Sequence, residues 1–143
     1  MEREDAIEVF FEWQNSMILN DYENDDILSI KEFKAIHLEM LNEIGADADA
    51  IELYSELLFK AIEYSNIRVR WATMSIAEKT AVDHGRTMKH DALIVKFNQL
   101  AKYLKLHGKP AYWRERLGDE KTARKTLGDM GCYIVFATAL SER

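Results

Sequence analysis

No glycine or proline falls between Gly45 and Gly85, and the 143 residues hold only six glycines and one proline in all. A chain so poor in the two residues that punctuate turns lacks the material for a fold of many short strands. Its apolar residues instead recur at three- and four-residue intervals, the spacing that puts side chains on one face of a helix. The expected class is all-α: a compact bundle of five or six helices with a long central third helix and an apolar C-terminal helix. At this length one hydrophobic core suffices, so 1–143 reads as a single helical domain.

Ile7, Phe10, Phe11, Met17 and Ile18 mark an amphipathic helix over 4–20, and the polar run 21–26 breaks it. Ser29 followed by Glu32 fits a capping box, with Ile30, Phe33, Ile36, Met40 and Ile44 as the apolar stripe before Gly45. Asp47 or Asp49 can cap the next helix, which the absence of breakers allows to run to Gly85. Thr87 to His107 reads as a fourth helix, ended by Gly108 and Pro110, so a tight antiparallel hairpin is expected around Gly85. Beyond it the pattern predicts a short helix to Leu117, another from near Asp119, and the apolar one from about Asp129.

Charge divides the chain unequally. Residues 1–64 carry 17 acidic side chains against Arg3, Lys31, Lys34 and Lys60, a net of −13, whereas the rest carries 15 Lys and Arg against eight acids, a net of +7. A basic half meets the acidic half of its own chain, that of another copy, or an external anion. An overall charge of −6 opposes approach to a polyanion, so nucleic acid is not the expected partner despite Lys102, Tyr103, Lys105, Lys109, Tyr112 and Trp113. The longest uncharged apolar run, Met130 to Leu140, is too short to span a bilayer, and membrane partners are not expected. One cysteine, Cys132, and an acidic start point to a cytoplasmic protein.

Three constellations could carry chemistry. In the first, Arg114-Glu115-Arg116-Leu117-Gly118-Asp119 and Arg124-Lys125-Thr126-Leu127-Gly128-Asp129 repeat the pattern Arg-x-x-Leu-Gly-Asp. As punctuation, Leu anchors a last turn, Gly takes a left-handed conformation and Asp caps the next helix. As an anion site, Arg114, Arg116, Arg124 and Lys125 would flank two helix N-termini. The second is a ligand pocket from Thr80, Asp83, Arg86 and His90, gathered at one end of an apolar seam if a hairpin turns at Gly85. The third is the His90-Asp91 doublet, a pairing used by metal-dependent phosphohydrolases, which need further His and Asp ligands to converge on the metal.

No set of residues in the sequence marks a catalytic centre, and no cofactor is implied. The expected function is that of a non-catalytic protein-binding or regulatory module, with a protein partner or self-association, and a homodimer as one form of it. The alternative is a metal-dependent phosphohydrolase-like enzyme using His90 and Asp91; the third is nucleic-acid or phosphate binding through the basic half. Gly128 and Gly131, three residues apart, are further expected to let another helix approach closely.

Overall fold

Asp47 sets the register of the first hairpin: its Oδ1 accepts the backbone N–H groups of Asp49 and Ala50, which a helix start would otherwise leave unpaired. The structure is a computed structural model that describes residues 30–68, 70 and 74–141. Among these it contains five helices and no strand: α1 Ile30–Ile44, α2 Ala48–Arg68, α3 Ile76–Leu106, α4 Tyr112–Arg116 and α5 Arg124–Ser141. The helix expected over 4–20, the polar run after it and the Ser29 half of the capping box lie outside the described residues.

The long helix exists, but the chain places it later than the breaker argument did. It runs 31 residues from Ile76 to Leu106, continuous through Gly85. Its start is fixed by Ser75, whose side chain accepts from the Glu78 N–H while the Glu78 carboxylate accepts from Ser75 N–H. A lone glycine costs a helix only about 1 kcal/mol, which is too little to outweigh such a start signal and the packing beyond it. The expected hairpin is therefore made by α2 and α3, and its turn lies between Arg68 and Ile76 instead of at Gly85. Cross-contacts show the antiparallel register: Tyr64 stacks on His90, Lys96 pairs with Glu56, and the Tyr103 hydroxyl donates to Asp47.

The end of α3 follows the sequence signal, with Gly108 in the left-handed region at φ +83°. The segment after α4 does not. No helix begins near Asp119; Gly118 turns the chain at φ +89°, Asp119 caps a short turn through the Lys121 N–H, and α5 starts at Arg124. The first Leu-Gly-Asp is thus the expected stop. The second lies inside α5, where Leu127, Gly128 and Asp129 are all buried.

The core is the meeting of α2, α3 and α5, filled by Leu57, Ala61, Leu93, Phe97, Leu127 and Ile134. A methyl group added at Gly131 would sit 2.6 Å from Leu93 Cδ2, and one at Gly128 would sit 2.8 Å from the Tyr64 hydroxyl. Both glycines therefore serve close helix approach, as their spacing suggested. α1 and α4 close the other side: Trp113 is fully buried, and its indole N–H donates to Glu43 at 2.7 Å. The buried N–H of Ala111 donates to the other oxygen of Glu43 at 3.1 Å, holding Ala111 at φ +50°.

Part of the charge asymmetry is met within the chain. Glu39 of α1 pairs with Arg116 at 3.0 Å and Glu56 of α2 with Lys96 at 3.3 Å, each joining the acidic half to the basic half. Exposed pairs such as these contribute about 0 to 1 kcal/mol each, so they bias the docking of α1 and α2 more than they stabilise it.

Candidate functional site

The titratable side chains gather where the end of α2, the middle of α3 and the start of α5 meet. Tyr64 on α2 and His90 on α3 stack with ring centroids 4.8 Å apart. There is room for the pair because Gly128 presents no side chain: a Cβ there would lie 2.9 Å from the Tyr64 ring and 3.1 Å from His90 Nε2. One turn on along α2, Arg68 reaches Asp129 of α5 at 3.8 Å, and Asp129 is only 1% exposed. Ser65 satisfies its own buried hydroxyl by donating to the Ile62 carbonyl. Arg86 and Cys132 border the cluster and act on it electrostatically.

Each shift in this cluster has a physical cause. His90 donates its Nε2 proton to the Arg124 carbonyl at 2.7 Å, and burial, opposed by that hydrogen bond and assisted by the Arg124 and Arg86 cations, lowers its pKa. It is a neutral imidazole tying α3 to the first residue of α5. Burial likewise raises the Tyr64 phenol and the Cys132 thiol, with Asp129 pushing both further up. Cys132 therefore stays protonated and lacks the thiolate character of a nucleophile.

Of the pocket set, Asp83, Arg86 and His90 share one side of α3, but the hairpin that was to bring Thr80 and Asp83 opposite Arg86 and His90 does not form there. All four residues lie on one continuous helix. The Thr80 hydroxyl bonds to its own helix at Ile76 O, and Asp83 pairs with Arg86 at 3.4 Å on the surface. Only His90 and Arg86 join the cluster. Tyr64, Arg68 and Asp129 were not among the proposed site residues. For Asp129 the signal was present, since a carboxylate inside an otherwise apolar helix needs a buried partner, but the repeated Leu-Gly-Asp disguised it as a cap.

The anion set is dispersed among protein partners. Arg114 donates to Asn98 and to the Gly118 carbonyl, Arg116 pairs with Glu39, and Arg124 pairs with Asp91. Lys125 lies next to Arg124 at the start of α5, partly buried. For the metal alternative, His90 and Asp91 diverge: the imidazole turns inward to α5 and the carboxylate lies on the surface. Among the described residues no group of three or more His, Cys, Asp or Glu side chains could hold a metal ion. None of the described helices is long and apolar enough to cross a membrane.

A different feature stands out on the surface. No side chain between Ile76 and Lys89 is buried, so α3 runs through almost four turns before His90, its first core residue. That stretch and its continuation expose Ile76 at 85%, Met88 at 58%, Val95 at 48% and Leu106 at 74%. Comparison with known protein families, with curated proteins and with solved structures finds no match to this chain.

Proposed function

We propose that this chain is a non-catalytic protein-binding module whose docking surface is the outward face of α3. The observation that carries the reading is the apolar content of that face: Met88, Val95 and Leu106 stand exposed along it, opposite the buried row, and Met88 lies on a helical stretch that buries none of its own side chains. Helices of this length are marginal in water when nothing packs against them, and exposed apolar stripes on them mark interaction sites. The cluster around Tyr64, His90 and Asp129 supports the reading from the other side of the helix. Its imidazole and its ion pair are directed to neighbouring helices, so it fixes the orientation of α3 against α2 and α5.

The test is site-specific photo-cross-linking in cells, with a benzophenone side chain at position 88 and, as a control, at position 115, where Glu115 is exposed on α4. Protein adducts at 88 that are absent at 115 are expected. An adduct-free position 88 would remove the docking surface, and equal adducts at both positions would show contact without a preferred face.

A further inference from the structure

Resting on that reading, we infer that the partner of the α3 face is a second copy of this chain, joined by an antiparallel pairing of the two α3 helices about a twofold axis between Arg86 and Thr87. The outward residues alternate in size. Ala81, Met88 and Val95 follow one another at seven-residue spacing and are exposed, with Gly85 and Ala92 half-buried between them. This is the a/d spacing by which two helices interlock. In the proposed register, Gly85 faces Met88 of the partner subunit and Ala81 faces Ala92 of the partner subunit. Nothing within 4 Å would meet a Cβ at Gly85; that open space is the hole into which a methionine side chain fits. The twofold makes Met88 and Gly85 meet twice, with Ala81 against Ala92 on either side, so the centre of the stripe complements itself.

The flanking polar side chains agree with the same register. His84 and Asp91 lie on the same edge of the stripe, seven residues apart, and both are exposed. The antiparallel pairing sets His84 of one copy beside Asp91 of the partner subunit, and the reverse. Asp91 keeps Arg124 on its own chain through one oxygen, and a carboxylate has a second with which to accept from the new neighbour. A parallel pairing would instead place His84 beside Lys89, which offers the imidazole N–H no acceptor. One helix pair falls below the size of a standard stable interface, so the dimer is weak, with a dissociation constant on the order of micromolar.

Sedimentation of the full chain over about two decades of concentration around the micromolar range tests this. The average mass should rise from that of the 16.6 kDa chain toward twice that value. Met88→Glu should weaken the dimer at least tenfold with unchanged helical circular dichroism, since that side chain is already exposed. His84→Glu, which sets two carboxylates side by side, should weaken it too. Leu106→Glu, on the same helix but outside the paired stretch, should leave it alone. A wild-type chain that stays monomeric throughout overturns the proposal, and so does a dimer indifferent to Met88→Glu or equally sensitive to Leu106→Glu. If position 88 cross-links to other proteins while the chain sediments as a monomer, the binding face survives and the second copy does not; if position 88 gives no adduct, the face itself fails.

Discussion

One chemical change, glycine to alanine, should have opposite effects at three helical positions. Gly85 lies in α3 with no atom of its own chain within 4 Å of an added Cβ, so in the monomer, below the micromolar range, Gly85→Ala receives the helix-propensity gain alone, about 1 kcal/mol. Gly131→Ala receives the same gain but sets its methyl 2.6 Å from Leu93 Cδ2 and 3.6 Å from Ala61 Cβ. Leu93 is fully buried, and interiors are close-packed, so the overpacking cost of about 1 to 3 kcal/mol applies. Gly128→Ala presses on two rings, Tyr64 and His90, which cannot flex as an aliphatic tip does. Because propensity is common to all three, differences between the variants isolate the packing term. Thermal unfolding followed by circular dichroism should show Gly85→Ala raised by about 4 °C and Gly128→Ala and Gly131→Ala unchanged or lowered, with the Gly85 and Gly131 variants separated by about 1 to 3 kcal/mol. If Gly131→Ala matched Gly85→Ala, the close approach of α5 to α2 and α3 would not be as described.

Three other outcomes can be checked. Burial lowers His37 from 6.5 to about 4 in the fold, where its Nε2 hydrogen-bonds the Tyr54 hydroxyl at 2.8 Å. The unfolded chain then binds the extra proton between those values. The stabilisation, about 3 kcal/mol at most, is present above pH 6.5 and is lost as pH falls toward 4; His37→Gln should flatten urea-derived stability across that window. Glu43→Gln leaves one acceptor oxygen for the two N–H groups of Ala111 and Trp113, at a cost of about 1 to 3 kcal/mol and with a red shift in tryptophan emission as Trp113 meets water; an unchanged spectrum and stability would count against the clamp. Asp129→Ala removes the α5 carboxylate that pairs with Arg68 at 3.8 Å and should lower stability in denaturant unfolding, while the double variant Asp129→Leu, Arg68→Met should recover most of the loss; a double variant as unstable as the single one would contradict the buried pair.

Helix class and core were legible because they depend on periodicity: Phe33, Ile36 and Met40, or Phe97, Leu100 and Leu104, sit on the buried faces their spacing assigns. Boundaries were legible where side-chain chemistry fixes them, as at Asp47 and Gly108. They were misplaced where one residue type serves two purposes. Gly85 resembled a stop and is a helical residue facing open space; Gly128 offered two readings, a stop before Asp129 and a point of close approach, and is the second. Local sequence does not separate these roles, because the difference is what stands opposite. The same limit applies to the cluster: His90 and Arg86 were visible on their own helix, whereas Tyr64 and Asp129 become partners only when α2 and α5 arrive from 26 or more residues away.

Glu43 joins residues about seventy positions apart in sequence, and α4, with five residues and no side-chain cap at Ala111, is held from outside, by that carboxylate, by Glu39 on Arg116 and by Asn98 on Arg114. A loop of this length must close before the contact gives any return. The five-residue helix is therefore placed to join last during folding and to leave first in the folded state. Its amides should exchange with solvent through openings smaller than global unfolding, and a protease cutting near Pro110 would find the chain there before it found it anywhere in the three-helix core.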